Sequence, residues 1–179
     1  MNRRVEFRTC QANDFDMDIA TVGIGMSIFM LSVGLTAPIM GKLADTGPIK
    51  PVMLGGVVLM VAGIAIMTRV HSGGLLALGM LITSVGIVIH GMVPSNSIAT
   101  NWFIQRRASA LAIIAVGLSI GGLWIPPATA WLMAHGTVEN DWRYALQTLS
   151  YILGAIAFIV IALGVVRTPE DINQHPDGD

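Results

Sequence analysis

Five long apolar runs dominate the chain and limit what it can fold into. Each holds about 20 residues with almost no charge, the length that an α-helix needs to cross the hydrocarbon core of a bilayer. The runs lie at 19–41, 51–69, 74–99, 108–134 and 144–166. They cannot form an open sheet, because lipid leaves unpaired backbone groups unsatisfied. The sequence therefore predicts an all-α membrane protein, a bundle of five transmembrane helices joined by short polar links.

The composition agrees with a chain that is surrounded by lipid. Only 12% of the residues are charged, against about 25% in a typical soluble domain. The net charge of −1 lacks the basic excess that a nucleic-acid partner requires. We predict three regions: a polar N-terminal segment at 1–18, the bundle at 19–167 and a polar cytoplasmic tail at 168–179.

Glycines recur in the apolar runs at spacings that place two of them on one helix face. Seven residues are close to two helical turns, and four are close to one turn. The pairs are Gly34 and Gly41, Gly56 and Gly63, Gly79 and Gly86, and Gly117 and Gly121. Small residues on one face let a neighbouring backbone approach closely. The pairs therefore predict tight packing within a polytopic bundle.

The positive charges favour one orientation in the membrane. The span ends on one side carry Lys42, Lys50, Arg106, Arg107 and Arg167. The other side carries Arg69 and Arg143, so the first side is expected to be cytoplasmic. Five spans then place the N-terminal segment outside, against the same rule, because it holds Arg3, Arg4 and Arg8. A further helix before residue 19, missing from this sequence, would resolve the conflict.

The link between the first two runs resembles the signature loop of the major facilitator superfamily. It reads GKLADTGPIK at 41–50, and the family pattern is G-x-L-A/S-D-R/K-x-G-R/K-R/K. Gly41, Leu43, Asp45 and Lys50 match that pattern. The resemblance implies that Asp45 stabilises the positive N-terminus of a helix in a facing half, a contact of about 0.3–1 kcal/mol, and so holds the outward-facing state. A solvated loop acid is the alternative.

A second resemblance covers the rest of the chain, to the monocarboxylate and organic-anion branch of that superfamily. The branch shows a Trp-Phe, an arginine pair, a glycine-rich helix that ends in prolines, and a Trp-Arg before the next helix. The matching residues are Trp102, Phe103, Arg106, Arg107, Gly117, Gly121, Gly122, Pro126, Pro127, Trp142 and Arg143. Drug-exporter patterns are not met, since Ile82 stands where an arginine is usual and Gly122 follows Gly121 directly.

The resemblance implies that the five spans correspond to helices two to six of twelve, an N-terminal half without its first helix. The implied activity is secondary transport of small organic anions or monocarboxylates by proton symport or exchange. The expected partners are the lipid bilayer and a small organic solute, with no cofactor, in a bacterial inner membrane. Three hypotheses stay open: a fragment that is inactive without a second chain, a half-size transporter acting as a homodimer, and a non-transporting membrane scaffold.

His90 is the one ionisable residue well inside a predicted span. Histidine changes protonation near neutral pH, so this side chain is a candidate proton carrier or anion-binding donor. The alternative is a neutral histidine hydrogen-bonded to a neighbouring helix. Asn96, between Ser95 and Ser97, either lines the same path or ends the helix. Trp124 either borders the path or fills the core of the bundle.

Other candidates lie at bends and at span ends. Pro94, Pro126 and Pro127 lack backbone donors and are expected to bend their helices. The bends serve either gating, together with Gly117 and Gly121, or packing alone. Aromatic and basic residues at the span ends are expected to anchor the bundle among the lipid headgroups. These anchors are Trp102, Arg106, Arg107, Trp142 and Arg143.

Enzymatic functions find no support in the sequence. The four histidines, His71, His90, His135 and His175, show no helical i, i+4 pairing that would hold a metal. No glycine-rich phosphate loop precedes a lysine. Ser95 stands five residues after His90, a spacing that does not share a face of an α-helix, so a hydrolase is not expected. Transport needs no covalent chemistry, and His90→Ala is predicted to abolish proton coupling without affecting membrane insertion.

Overall fold

The computed structural model describes residues 19–69, 73–135, 142–166 and 168. The side chains of residues 19–22, Asp45 and Thr46 lie outside this description. So do the segment at 1–18 with its arginines, most of the tail, and three residues named above, His71, Arg167 and His175. The division into three regions and the missing first helix therefore stay predictions.

Six α-helices and one π-helical segment make up the described chain. They are α1 Ile19–Thr46, α2 Ile49–Arg69, α3 Gly73–Ile87, the π-turn Val88–Met92, α4 Val93–Trp102, α5 Arg107–His135 and α6 Trp142–Gly164. α3, the π-turn and α4 follow one another without a break and form one span, Gly73–Trp102. The described chain thus has five helical spans long and apolar enough to cross a membrane, and the predicted fold class is confirmed.

Pro94 accounts for the π-turn. A proline has no N–H for the helical ladder, and its ring clashes with the carbonyl group four residues earlier, here that of His90. The flanking residues keep right-handed helical angles, φ −61° and ψ −43° at Ile87 and φ −72° and ψ −53° at Val93. The helix therefore passes the proline by widening one turn. Pro94 itself is fully buried, so this turn lies against the rest of the bundle.

α2 and α3 form the centre of the bundle, and glycines set their separation. A Cβ atom built on Gly86 would lie 2.8 Å from the carbonyl oxygen of Gly56. One built on Gly79 would lie 3.1 Å from the carbonyl oxygen of Gly63. These backbones are in direct contact, which only small residues allow. The predicted packing role of these two glycine pairs is confirmed.

The other two glycine pairs lie on open faces of α1 and α5. A Cβ atom built on Gly34, Gly41, Gly117 or Gly121 would meet nothing within 4 Å. α5 lies on the outside of the bundle, and of its 29 residues only Thr129 is buried. The tight packing predicted for these four glycines is therefore not found among the described residues, because no described helix covers their faces.

A buried cluster joins α1, α2 and α6 at one end of the bundle. It consists of Ala44, Ile49, Met53, Val57 and Ile161. Each of these side chains is at most 5% exposed. α6 also packs closely on α2 at Gly154, where a Cβ atom would lie 2.6 Å from a methyl group of Val61. The link between α1 and α2 is thereby fixed to the end of α6.

Buried hydroxyl groups are satisfied within their own helices. Thr83 Oγ1 donates to the carbonyl oxygen of Gly79, and Ser84 Oγ donates to that of Leu81, both at 2.8 Å. The same i−3 or i−4 bonds recur in α1, α5 and α6. Such bonds remove the penalty for placing a hydroxyl group in an apolar interior. Each of the five fully buried hydroxyl side chains among the described residues has such a bond.

Candidate functional site

A cleft of about 1210 Å³ opens between the π-turn, α4, α5 and α6. Its wall is largely apolar. The polar and aromatic side chains on it are those of His90, Ser95, Trp102, Phe103, Arg106 and Ser109. The apolar side chains include those of Met53, Ile98, Ile113, Ile114, Val160 and Ile161. The cleft therefore brings together His90, Trp102 and Arg106, three residues that the sequence singled out for different roles.

His90 marks the deep end of the cleft. It stands 12 residues before Trp102 (102 − 90) and 17 residues after Gly73 (90 − 73) within the span Gly73–Trp102. At about 1.5 Å per residue, it lies roughly 18 Å from one end of the span and roughly 25 Å from the other. The side chain is half-buried. The cleft thus leads from the basic end of the bundle to the middle of the membrane.

One ring nitrogen of His90 is held by the backbone. Nδ1 lies 2.7 Å from the carbonyl oxygen of Gly86, four residues earlier. A carbonyl oxygen only accepts, so Nδ1 carries a hydrogen and donates it. In the neutral ring, Nε2 is then the nitrogen that holds the lone pair and can take up a proton. The histidine is hydrogen-bonded, as one interpretation of the sequence required, but to its own helix and not to a neighbouring one.

Ser95 lies on the same cleft as His90, which corrects the prediction from sequence. On an α-helix, residues five apart point about 140° away from each other. A π-turn instead inserts one residue into a helical turn, which reduces the angle between residues five apart to about 40°. The prediction that His90 and Ser95 do not share a face was wrong, because it assumed α-helical geometry before Pro94. Ser95 Oγ also makes no hydrogen bond to any of the described residues.

Two hydrogen bonds fix the mouth of the cleft. Trp102 Nε1 donates to the carbonyl oxygen of Val166 at 3.1 Å, which ties the end of α4 to the end of α6. Arg107 donates from Nη2 to the carbonyl oxygen of Thr100 at 3.3 Å, in the last turn of α4, where a cation also favours the helix dipole. Arg106 lines the mouth and is exposed. Contact of these side chains with headgroups stays a prediction.

The other residues predicted for the path lie away from the cleft. Asn96 is half-buried on α4 and does not line it. Trp124 is 69% exposed on α5, so it does not fill the core of the described bundle, and it does not border the cleft. Pro126 and Pro127 are exposed, and α5 continues through them as one helix from Arg107 to His135. A gating role for these prolines stays a prediction.

Trp142 packs inside the bundle at the start of α6. It is 2% exposed, and the guanidinium carbon of Arg143 lies 5.2 Å from the centroid of its ring. A cation over an indole face is an attractive arrangement. The ring therefore faces the interior of the bundle, whereas a headgroup anchor would face outward.

The signature-loop residues lie next to the buried cluster. The Gly47 N–H donates to the carbonyl oxygen of Leu43 at 2.8 Å, and a Cβ atom on Gly47 would lie 2.8 Å from that oxygen, so a side chain does not fit there. Lys50 is half-buried in the first turn of α2. Gly41 has an open face. The side chain of Asp45 lies outside the described residues, so its role stays a prediction.

The loop and the cleft share part of their structure. Met53 and Ile161 belong both to the buried cluster and to the wall of the cleft. Ala44 and Ile49 flank the loop and pack in the same cluster. A displacement of the loop would therefore also displace the wall of the cleft, since closely packed side chains transmit displacements.

The α6 wall of the cleft and the position of Ser109 were missed from sequence. Ala157, Val160 and Ile161 are ordinary apolar residues of a span, and nothing in their pattern marks a cleft. Pro94, four residues after His90, was the available signal for the π-turn, because proline disturbs the helix at the carbonyl group four residues before it. The sequence pattern alone does not distinguish a widened turn from a kink.

The polar groups of the cleft differ between its two ends. It has a titratable ring at its deep end, a guanidinium at its mouth and no acidic side chain among the described residues that line it. Among the described residues, no group of three or more histidine, cysteine, aspartate or glutamate side chains is placed to hold a metal ion. An anion that enters would meet positive charge first and a proton-carrying ring at the end.

Comparison with known proteins agrees with a transport role. The chain is 28% identical over 142 residues to the fujikurins efflux protein of Gibberella fujikuroi, covering 78% of this chain and 28% of that protein. It is 27% identical over 151 residues to the MFS-type transporter YtbD of Bacillus subtilis, covering 83% and 36%. It is 25% identical over 170 residues to the riboflavin transporter MCH5 of Saccharomyces cerevisiae, covering 90% and 32%.

The chain spans about a third of the length of these curated relatives, which fits five spans out of a larger number. The sequence profile of the Major Facilitator Superfamily matches residues 9–179, almost the whole chain. The match begins before α1 and includes the signature loop and the cleft. This multi-pass integral membrane protein therefore belongs to the Major Facilitator Superfamily.

Proposed function

We propose that this chain is part of a secondary transporter that moves small organic anions, monocarboxylates in particular, by proton symport or exchange. The observation that carries the proposal is the cleft with His90 at its deep end and Arg106 at its mouth. Secondary transporters bind their solute near the midplane of the membrane, and His90 is placed at that depth. The relatives include an efflux protein and a riboflavin transporter, which supports transport of organic solutes.

The charge of the cleft supports an anion as the solute. Arg106 is always protonated, and its field in a partly apolar mouth raises the local concentration of anions. No described residue on the wall supplies the carboxylate that an organic cation would need. A proton on His90 would neutralise a bound carboxylate in the middle of the membrane, where an unpaired charge is costly. Anion and proton therefore favour each other's binding, which is the requirement for symport.

The exposed faces of α1 and α5 support the proposal that the chain needs a partner. Gly34 and Gly41 on α1 and Gly117 and Gly121 on α5 have the spacing of a close helix contact, yet nothing described lies against them. We assign the five spans to helices two to six of a twelve-helix transporter that is inactive alone. A second copy of the chain offers the same kind of surface and is the alternative, ahead of a non-transporting scaffold.

Two further roles complete the proposal. Asp45 would stabilise the N-terminus of a helix in the missing half when the transporter faces outward, as the family loop implies. Gly117, Gly121, Pro126 and Pro127 would form the gating contact of α5 with that half. We place the protein in a bacterial inner membrane, which the relative from Bacillus subtilis supports.

The test is uptake into liposomes that enclose a pH-sensitive dye. The chain is reconstituted alone and after co-expression with the part of the Bacillus subtilis relative that lies beyond the matched region. We expect an external monocarboxylate, phenylacetate, to acidify the lumen only with the co-expressed pair, and His90→Ala to abolish that signal. Acidification by the chain alone would instead support the homodimer. No carboxylate-dependent signal from either preparation would contradict the proposed function.

A further inference from the structure

The strongest unexplained feature of the cleft is a pair of polar groups at its deep end. His90 has Nδ1 fixed on the carbonyl oxygen of Gly86 at 2.7 Å, so Nε2 is the ring nitrogen left for a ligand. Ser95 is half-buried on the same cleft, and its hydroxyl group has no hydrogen bond to the described residues. The fully buried hydroxyl groups of the described bundle bond back to their own helices, whereas Ser95, like the half-buried Ser97 and Thr148, makes no such bond within the described residues. A half-buried hydroxyl group without such a bond needs water or a ligand.

Pro94 accounts for the presence of both groups on the wall of one cleft. It lies between them in sequence, is fully buried, and is preceded by the π-turn Val88–Met92. Without the widened turn, Ser95 would rotate by about 100°, the angle of one residue on an α-helix, and leave the cleft. The turn is held from the other side as well, because a Cβ atom on Gly56 of α2 would lie 2.7 Å from the backbone nitrogen of His90.

Resting on the proposed function, we propose that His90 Nε2–H and Ser95 Oγ–H together bind the carboxylate of the solute, with Pro94 as the positioning residue. The neutral ring takes up one proton at Nε2 when the carboxylate binds, so one proton accompanies each anion. Both oxygens of a carboxylate accept hydrogen bonds, which suits two donors at one site. The bond to Gly86 leaves Nδ1 protonated in both states, so all of the proton exchange occurs at Nε2.

The side chains that line the cleft near His90 and Ser95 indicate the chemistry of the rest of the solute. Met53, Ile113, Ile114, Val160 and Ile161 form the neighbouring wall and offer no polar atom from their side chains. A hydroxyl group on the solute would be buried there without a partner, at a cost. A cleft of about 1210 Å³ is also far larger than a two- or three-carbon acid needs. The ligand class is therefore a monocarboxylate with a bulky apolar body, aryl or branched alkyl.

Few other charges act on His90 within the described chain. α2 contributes Met53 to the cleft, α6 contributes apolar residues, and α5 contributes Ser109 from its first turn. Arg106, at the mouth, is the one other ionisable side chain among the described residues that line the cleft.

The test measures binding of phenylacetate to the purified chain in lipid nanodiscs, so it does not depend on transport. Phenylacetamide, which has the same shape and no charge, is the control ligand. Ser95→Ala and His90→Gln are each expected to weaken phenylacetate binding by roughly tenfold to a hundredfold, the range for a lost hydrogen bond to a charged group. Ser95→Thr, which keeps the hydroxyl group, is expected to retain binding. Ser119→Ala, away from the cleft and bonded to Ala115, is the matched control.

Pro94→Ala separates positioning from the mere presence of the two groups. This variant keeps His90 and Ser95 but restores the backbone N–H, and we expect it to bind phenylacetate as weakly as Ser95→Ala. Ring ¹⁵N spectra of His90, with the other three histidines replaced by glutamine, give a second readout. We expect a neutral ring protonated at Nδ1 without ligand, and a ring protonated at both nitrogens with phenylacetate.

Several outcomes would overturn the inference. Phenylacetate that does not bind the native chain, or that binds Ser95→Ala and folded Pro94→Ala as tightly as the native chain, would remove the two-donor site. A ring protonated at Nε2 alone in the unliganded chain would do the same. These failures leave the proposed function standing if phenylacetate still drives acidification in the co-expressed pair. Loss of all carboxylate-dependent acidification would remove the proposed function instead.

Discussion

Gly56 and Gly55 are neighbours on α2, but only Gly56 faces α3. A Cβ atom on Gly56 would lie 2.6 Å from a methyl carbon of Ile89 and 2.7 Å from the backbone nitrogen of His90, whereas one on Gly55 meets nothing within 4 Å. Ordinary contact begins at 3.4 Å, so Gly56→Ala must push the π-turn away by about 0.7 Å (3.4 − 2.7). Overpacking of this kind costs about 1–3 kcal/mol.

The comparison of the two alanine variants isolates the packing cost. Both substitutions gain the same helix propensity, about 0.5–1 kcal/mol, because each replaces a glycine inside one helix. We therefore expect Gly56→Ala to be less stable than Gly55→Ala by about 1–3 kcal/mol, a factor of roughly 5 to 150 in the unfolding equilibrium. The assay is unfolding by sodium dodecyl sulfate in mixed micelles, followed by far-ultraviolet circular dichroism. Equal midpoints for the two variants would refute the contact of α2 with the π-turn.

Three further predictions follow from particular side chains. Ile161→Ala should destabilise the chain by about 2–5 kcal/mol, because it opens a cavity in the buried cluster, while Leu163→Ala, 82% exposed, should change stability by less than about 0.5 kcal/mol in the same assay. Trp102→Phe removes the indole N–H bond to the end of α6, costs about 1 kcal/mol and should speed amide hydrogen exchange in the last turn of α6. His90→Ala should abolish carboxylate-driven acidification with normal membrane insertion, whereas His135→Ala, exposed at the end of α5, should leave it unchanged; equal loss in both would remove His90 from the mechanism.

The arrangement of spans followed directly from the sequence, because lipid demands long uncharged helices. The five predicted runs and the described spans agree within a few residues at each end. The glycine pattern was equally informative for α2 and α3, where Gly63 and Gly79 bring two backbones into contact. On α1 and α5 the same pattern predicted contacts that no described helix supplies. The spacing of glycines shows that a helix face can be closely packed, but it does not identify the helix that packs against it.

The candidate site was only partly predictable. His90 stood out because an ionisable residue inside a span is costly and therefore rare. Its relation to Ser95 was misjudged, since the angle between two side chains depends on the turn between them, and Pro94 had changed that turn. The wall supplied by α6 was not predictable, because residues such as Ala157 reach the cleft through tertiary packing alone.

Trp124 and Trp142 show the same limit for aromatic residues. One was expected to lie in the core or along the path and is exposed. The other was expected among the headgroups and is buried. Hydropathy gives the depth of a residue in the membrane, but the direction in which it faces around the helix depends on which helices are its neighbours.

The most direct test of the account is whether water reaches Ser95 from the basic side of the bundle. Cys10 is first replaced by serine, and Ser95→Cys is then treated with a membrane-impermeant thiol reagent from either side of the membrane. Val116→Cys, which is exposed on α5 but does not line the cleft, is the control at similar depth. The account predicts rapid labelling of Ser95→Cys from the cytoplasmic side, slow labelling of Val116→Cys, and protection of Ser95→Cys by phenylacetate. Labelling of Ser95→Cys no faster than that of Val116→Cys would show that no open path leads to His90 and would contradict the account.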